Sequence, residues 1–400
     1  MTDSSDSPER YSPLHAAHIA AGASFTDFAG WQMPVRYSSD LAEHHAVRTA
    51  AGLFDLSHMA EIVVLGPEVA EALDYALAGR ISAVAAGQAK YSLLLGREGG
   101  IVDDLVAYRT GDDRFLIVAN ASNRAAVAEQ LLERCSMFDC QVFDESDDIA
   151  LIAIQGPKAY EILSQVPGVD VPALQELKYY WSTPGTFRPD TANADRGETP
   201  TELHELLVAR TGYTGEDGFE LYVAPDVAPV LWDALMETGR GSGLVPAGLA
   251  SRDTLRLEAG MPLYGHELDL RTYPAQAGLG RVVNLKKEGD FVGREAVEAG
   301  APEGSRVLVG LVSEGKRAGR AGYGVFARAG APSSTPALVE EPVGTITSGA
   351  LSPTLGYPIA MAYVDAASAS DGAELFIDVR GTRVAASVVP LPFYKRETAS

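Results

Sequence analysis

The chain is poor in cysteine and in lysine. Cys135 and Cys140 are its only cysteines in 400 residues. That number excludes a disulfide framework, and their spacing fits neither a CxxC redox pair nor a zinc site. Of 32 basic residues, seven are lysines; 54 residues are acidic, and the formal net charge is −22. So acidic a chain repels polyanions, which argues against nonspecific binding to nucleic acid or an anionic membrane surface. Acid-rich, lysine-poor composition resembles that of proteins from salt-loving organisms, where high salt screens self-repulsion; a halophilic source is the expectation. No apolar run reaches the about 18 residues of a membrane span. Met1–Arg10 is polar and acidic, without the apolar core of a signal peptide, so export is not expected. The cytoplasm is the expected compartment.

Several site signatures are missing as well. Gly241-Ser242-Gly243 continues to Gly248 with the wrong spacing for a dinucleotide loop, and neither GxxxxGK[ST] nor GxSxG occurs. His44 and His45 are adjacent and His58 stands alone, so no HExxH pair exists. The histidines read as structural or surface residues, and no metal is expected. These absences argue against a metallohydrolase, a nucleotide kinase and a serine hydrolase.

What is present is a globular pattern. Hydrophobic residues make up 46% and charged ones 22%, and the length suggests two or three domains. Helical spacing covers 39–51, with Gly52 as a stop, and a second helix is expected near Asn123–Cys135. Strands are expected at Glu61–Leu65, Tyr91–Leu95, Ile101–Tyr108, Phe115–Ala119 and Ile149–Ile154. The turn Gly96-Arg97-Glu98-Gly99-Gly100 reads as a hairpin connection. Residues 181–205 lack periodicity and read in part as a surface excursion. From about 305 the texture changes to short strands, at Val307–Val312, Gly322–Phe326, Val343–Ile346, Leu375–Val379 and Val384–Val389. The whole reads as α+β with antiparallel sheets: a first region over 1–300 and an all-β domain over 301–400.

Three segments can carry chemistry. In Gly99-Gly100-Ile101-Val102-Asp103-Asp104-Leu105-Val106, two adjacent acids interrupt an apolar strand. Strand alternation sends their side chains to opposite faces, Asp104 with Val102, Val106 and Tyr108, Asp103 with Ile101 and Leu105. Both faces are apolar, and a buried carboxylate there needs a partner such as a ligand with donors; a strand ending early in an exposed turn is the other reading. The Gly-rich run Arg210–Leu221 lets backbone approach a flat ligand, and a fixed Glu220 suits two adjacent N–H donors. Glu216 and Asp217 read instead as solvated hairpin acids. In the helical stretch Ala247–Glu258, Arg252 can point inward to a ligand carboxylate, or it belongs to a salt-bridged surface, while Asp253 and Arg256 are spaced as a helix-surface pair.

Six motifs occur in order: Phe28-Ala29-Gly30-Trp31-Gln32-Met33-Pro34, Gly52-Leu53-Phe54-Asp55-Leu56-Ser57-His58-Met59, Gly99–Leu105, Gly212–Glu220, Arg252-Asp253, and Ser348–Gly356. Together, from about residue 12 to 396, they resemble the aminomethyltransferase family, the T-proteins of the glycine cleavage system. The resemblance implies three domains around a central tetrahydrofolate channel: two intertwined α+β lobes and a C-terminal β-barrel or jelly-roll-like domain. It implies transfer of the methylene of an aminomethyl group, carried on the lipoyl arm of H-protein, to the cosubstrate tetrahydrofolate with release of ammonia. The partners implied are H-protein and, in the same pathway, the P- and L-proteins. It places Asp104 beside the reacting folate nitrogens as the catalytic acid and Glu220 on the pterin edge. Met59, Tyr91, Asn120, Tyr213, Arg252 and Tyr394 match folate-lining positions.

The chain also departs from the family. Gln276 and Arg281 stand where relatives often carry an acid and a tryptophan. Two basic clusters, Arg281/Lys286/Lys287 and Lys316/Arg317/Arg320, are unusual on so acidic a chain. Each can attract folate glutamates or H-protein, or belong to a solvated surface. Related folate-dependent demethylases, acting on sarcosine or dimethylglycine, share the pocket. A non-catalytic folate-binding assembly factor is a further alternative; that branch carries a cysteine where Gly289–Glu295 has Asp290.

Overall fold

The computed structural model describes residues 9–189, 202–327 and 341–396. Two sheets face each other across an apolar layer and form the body of the molecule. One is five-stranded, in the order Ala89–Leu95, Ile101–Gly111, Arg114–Ala119, Ala60–Leu65, Gln141–Asp144. The other is seven-stranded, with Gly218–Val223, Ala150–Gln155 and Ala51–Asp55 at its centre. Among the described strands pairing is antiparallel apart from two short parallel edges, Leu244–Pro246 on Ala51–Asp55 in the seven-stranded sheet and Arg10–Tyr11 on Trp31–Arg36 in a separate three-stranded sheet.

Alternation along each strand assigns its two faces. In the five-stranded sheet Leu105, Ala107, Phe115 and Ile117 turn outward, under the helices Val69–Ala76 and Arg124–Cys135. Val63, Tyr108, Leu116 and Val118 turn inward and meet Phe54, Leu151, Ala153 and Tyr222 of the facing sheet. In the strand Gly218–Val223, Phe219, Leu221 and Val223 pack beneath the helix Ala228–Gly239, so Glu220 and Tyr222 face the space between the sheets. The helix expected over 39–51 spans Asp40–Thr49, with Ser39 accepting from Ala42 N as its cap; such a cap is worth about 1 kcal/mol.

The C-terminal strands close into a six-stranded barrel running Arg306–Ser313, Pro358–Asp365, Gly344–Leu351, Gly324–Ala327, Glu374–Val379, Thr382–Val389. One of them, Pro358–Asp365, has no counterpart in the sequence reading: it is buried along most of its length and shows no alternation to betray it. The segment 181–205 holds two paired strands, Ser182–Phe187 and His204–Ala209; 190–201 lie outside the described residues. Closure removes the sheet edges.

A buried polar cluster locks the barrel to the first region. The helix Leu249–Glu258 presents Arg256 to Ser348 Oγ (2.7 Å) and Glu267 Oε2 (2.9 Å). It also presents Glu258 to Ser352 and to the backbone N of Thr354 (3.0 Å). From the helix Asp40–Thr49, Arg48 Nη2 reaches Glu258 Oε2 at 2.8 Å and Nη1 reaches Glu216 Oε1 at 2.9 Å. His44 Nε2 joins at 3.1 Å. Glu216 is therefore buried in an ion pair, contrary to the solvated acid expected; its partner lies 168 residues away. Asp217 pairs with Arg210 at 2.6 Å. Lys287, expected on the surface, is buried, with Nζ donating to the carbonyls of Asp74 (2.6 Å), in the last turn of the helix Val69–Ala76, and Gly79 (2.9 Å), just past it; a cation satisfies orphan carbonyls at that helix end.

Candidate active site

Between the two sheets and the helix Leu249–Glu258 lies a cavity of about 590 Å³, the size of a small-molecule site. Its lining residues run from Thr26 to Leu279, so among the described residues the barrel contributes none. Seven of the eight sequence-selected residues line it: Met59, Tyr91, Asp104, Asn120, Tyr213, Glu220 and Arg252. Tyr394 does not. Its ring lies 4.0 Å from the Arg48 guanidinium carbon and its backbone N donates to Glu258 O at 2.8 Å, which makes it part of the barrel lock.

The hairpin of Ala89–Leu95 with Ile101–Gly111 positions the acid pair. Tyr91 stands opposite Val106, so Asp104, two residues back on the same face, is its diagonal neighbour. Tyr91 OH donates to Asp104 Oδ2 at 2.9 Å, and Asn120 Nδ2 donates to Asp104 Oδ1 at 2.9 Å. Burial pushes the Asp104 carboxyl above its ordinary range, opposed by the bonds from Tyr91 and Asn120. Asp103 takes the other face and is wholly buried. It accepts from Asn120 N (3.0 Å), Asn120 Nδ2 (2.8 Å) and Asn123 Nδ2 (2.7 Å). Burial, with Asp104 beside it, pushes Asp103 up to about 7 despite these donors.

Glu220 sits across the cavity. Tyr108 OH donates to its Oε2 at 3.0 Å, and Thr211 Oγ1 donates to the same oxygen. Among the described residues nothing donates to Oε1, which leaves that oxygen for a ligand's N–H groups. Arg252 lies with its guanidinium carbon 4.9 Å from the Tyr213 ring centre and forms no ion pair among the described residues. Burial lowers its pKa, countered by Tyr213 and Glu220. Arg252 lines the cavity and does not belong to a salt-bridged surface. Asp253, its neighbour, pairs with Arg256, but Arg256 is buried, so this is no surface pair.

Sequence reasoning missed His58 and Tyr180. His58 is buried on the cavity wall, its Nδ1 without a partner among the described residues, and burial lowers its pKa to about 4. Its place beside Met59 in the second motif was the available signal. Tyr180 lines the cavity with φ +61°, a conformation that is costly for a non-glycine residue and concentrates at functional sites; nothing in the sequence pattern marks it. Gln276 binds Arg306 O and is absent from the lining; Arg281, Lys286, Lys316, Arg317 and Arg320 are exposed.

Comparison with known proteins places the chain in a family. Residues 14–287 match the GCVT N-terminal domain, and 306–395 match the glycine cleavage T-protein C-terminal barrel domain. The chain belongs to the glycine cleavage T-protein family of aminomethyltransferases. It is 55% identical over 392 residues to an aminomethyltransferase of Cutibacterium acnes, covering 97% of this chain and 99% of that one. It is 51% identical over 391 residues to one of Saccharopolyspora erythraea, covering 98% and 99%. Among solved structures it resembles the glycine cleavage system aminomethyltransferase T of Bartonella henselae, with TM-score 0.81 and 36% identity over 96% of this chain and 98% of that one. No helix among the described residues is long and apolar enough to cross a membrane.

Proposed function

We propose that the chain transfers the methylene of an aminomethyl group, borne on the lipoyl arm of H-protein, to tetrahydrofolate. One observation carries this reading: Asp104, Glu220 and Arg252, three charged residues on one largely apolar cavity, form no ion pair among the described residues. Unpaired charges facing such a space are costly unless a ligand meets them. Tetrahydrofolate has the matching chemistry: an aminopyrimidine edge of adjacent N–H donors for Glu220 Oε1, an anionic tail or carbonyl for Arg252, and secondary amines for the side carrying Asp104. In the reaction the carbon–sulfur and carbon–nitrogen bonds of the donor break and two carbon–nitrogen bonds form. The two amine protons leave with the thiol and with ammonia. Asp104 orients the attacking amine and stabilises the cationic carbon; Tyr91 and Asn120 hold Asp104, and the apolar walls exclude water.

This reading includes a division into a folate-binding region over 1–300 and a barrel over 301–400, a cytoplasmic location, and work alongside the P- and L-proteins. The exposed Arg281 and Lys286 support docking of the carrier if its facing surface is acidic, through electrostatic steering. Acid-rich, lysine-poor composition supports adaptation to salt. The test mixes the protein with aminomethyl-loaded H-protein and tetrahydrofolate in high salt. Methylenetetrahydrofolate and ammonia in equal amounts are expected; no product while tetrahydrofolate still binds overturns the assignment.

A further inference from the structure

We propose that Asp103 is a positioning residue that fixes which end of the Asn120 side-chain amide faces the cavity. The proposal rests on the reading above, in which the reacting amine lies beside Asp104, and deepens it. Asn120 Nδ2 stands 2.8 Å from Asp103 Oδ1, 2.9 Å from Asp104 Oδ1 and 3.1 Å from the Asp104 carbonyl oxygen. All three are acceptors, and two belong to carboxyl groups. An amide oxygen turned into that position meets oxygen on three sides, so the NH2 end is held there. Among the described residues none donates to Asn120 Oδ1, and Asn120 is on the cavity wall. Its Oδ1 is therefore an acceptor offered to the ligand, next to the acid that holds the reacting amine.

Asp103 does not line the cavity and cannot touch a ligand. It grips Asn120 twice, Oδ2 accepting the backbone N–H at 3.0 Å and Oδ1 the side-chain NH2. Asn123 Nδ2, which also reaches Val102 O at 3.3 Å, donates to the same Oδ1 and fixes the carboxyl in turn. Only a side chain with two acceptor atoms satisfies this arrangement. Asparagine at 103 must aim its own NH2 either at the Asn120 backbone N–H or at two amide NH2 groups, donor against donor in both cases. The Asn120 amide then loses its fixed sense, and its NH2 end turns toward the ligand's N–H.

The test is a double-mutant cycle of Asp103→Asn and Asn120→Ala, reading kcat, KM for tetrahydrofolate and the thermal midpoint of each variant. Asp103→Asn is expected to lower kcat/KM by about tenfold or more, mostly in kcat. In the Asn120→Ala background the same change is expected to cost less than about twofold, because Asp103 acts only through Asn120. Additive losses, or a loss carried by KM alone, overturn the proposal. If Asp103→Asn fails to fold, Asn123→Ala, which removes the second side-chain donor from the Asp103 carboxyl, takes its place in the cycle: a loss of kcat that vanishes in the Asn120→Ala background supports the proposal, and no loss, or the same loss in both backgrounds, overturns it. Asp104→Asn is assayed alongside. Full turnover there sinks the aminomethyl-transfer reading itself, whereas loss in Asp104→Asn with none in Asp103→Asn overturns only the present proposal.

Discussion

Replacing Asp104 by asparagine removes one charge and keeps the shape. The carboxylate it replaces is desolvated and held by two donors at 2.9 Å, Tyr91 OH and Asn120 Nδ2. A cationic centre developing about 4 Å from it, at an effective dielectric of about 20, is stabilised by about 4 kcal/mol. That is about a thousandfold in rate. Binding suffers less, because Glu220, Arg252 and the apolar walls remain. Asparagine accepts from Tyr91 as the acid did but sets NH2 against the NH2 of Asn120, a loss of about 1 kcal/mol, or about fivefold in affinity. The assay is single-turnover formation of methylenetetrahydrofolate from aminomethyl H-protein, with tetrahydrofolate affinity measured by fluorescence titration. Turnover down about a thousandfold with affinity within about tenfold is the expected result. Equal losses of affinity and rate, or an inactive Asp103→Asn beside a normal Asp104→Asn, refute the assignment of faces.

Arg252→Gln is expected to weaken tetrahydrofolate about tenfold or more, the worth of a charge-assisted bond, without lowering the thermal midpoint, since no acid is left unpaired; unchanged affinity refutes the role. Stability is expected to fall in acid. Hydrogen bonds and the charge of His44 hold Glu258 down to about 2 against an ordinary 4.5, so its stabilisation is complete above pH about 4.5 and lost as pH falls toward 2, about 3 kcal/mol in all. Burial also lowers His44, so its contribution starts to fade as pH drops below its ordinary 6.5. Denaturant titrations of the native chain and Glu258→Gln at pH 7, 5 and 3.5 check this, and an equal acid slope in the variant counts against it. With a net charge of −22, the thermal midpoint is expected to rise between about 0.1 M and 1 M salt, as the screening length falls from about 10 to about 3 Å. A flat or falling midpoint disproves adaptation to salt.

Much of the site is legible because it is local. Alternation along Ile101–Gly111 separates Asp103 from Asp104, and the hairpin turn that sets Tyr91 against Asp104 is spelled by Gly99, at φ +84°. The same alternation along Gly218–Val223 sends Glu220 inward while its apolar neighbours face a helix. What is not legible depends on long-range pairing. Glu216 and Arg48, or Lys287 and the carbonyls at the end of the helix Val69–Ala76, are some 168 to 213 residues apart. A charge in a turn or in a basic run is solvated by default, and only a partner arriving from elsewhere reverses that. Tyr394 is a case of the same kind: near the chain's end it meets Arg48, not the cavity.

The helix Leu249–Glu258 supplies an internal comparison that bears on function. It carries three charged residues on or near its buried side. Arg256 is matched by Glu267, Asp253 and Ser348, and Glu258 by Arg48, His44, Ser352 and Thr354. Arg256 also borders the cavity, but both it and Glu258 are buried and bonded to protein groups. Arg252, one turn before Arg256, faces the cavity and has only the face of Tyr213. Since the surroundings evidently can neutralise a charge on this helix, the absence of an acid at Arg252 is a property of the position and not of the region. A fold that ties down two charges and leaves the third open has reserved it for something that enters. The barrel's part follows from this. Among the described residues it contributes none to the cavity lining, yet through Arg256 and Glu258 it sets the axis and rotation of the helix from which Arg252 projects.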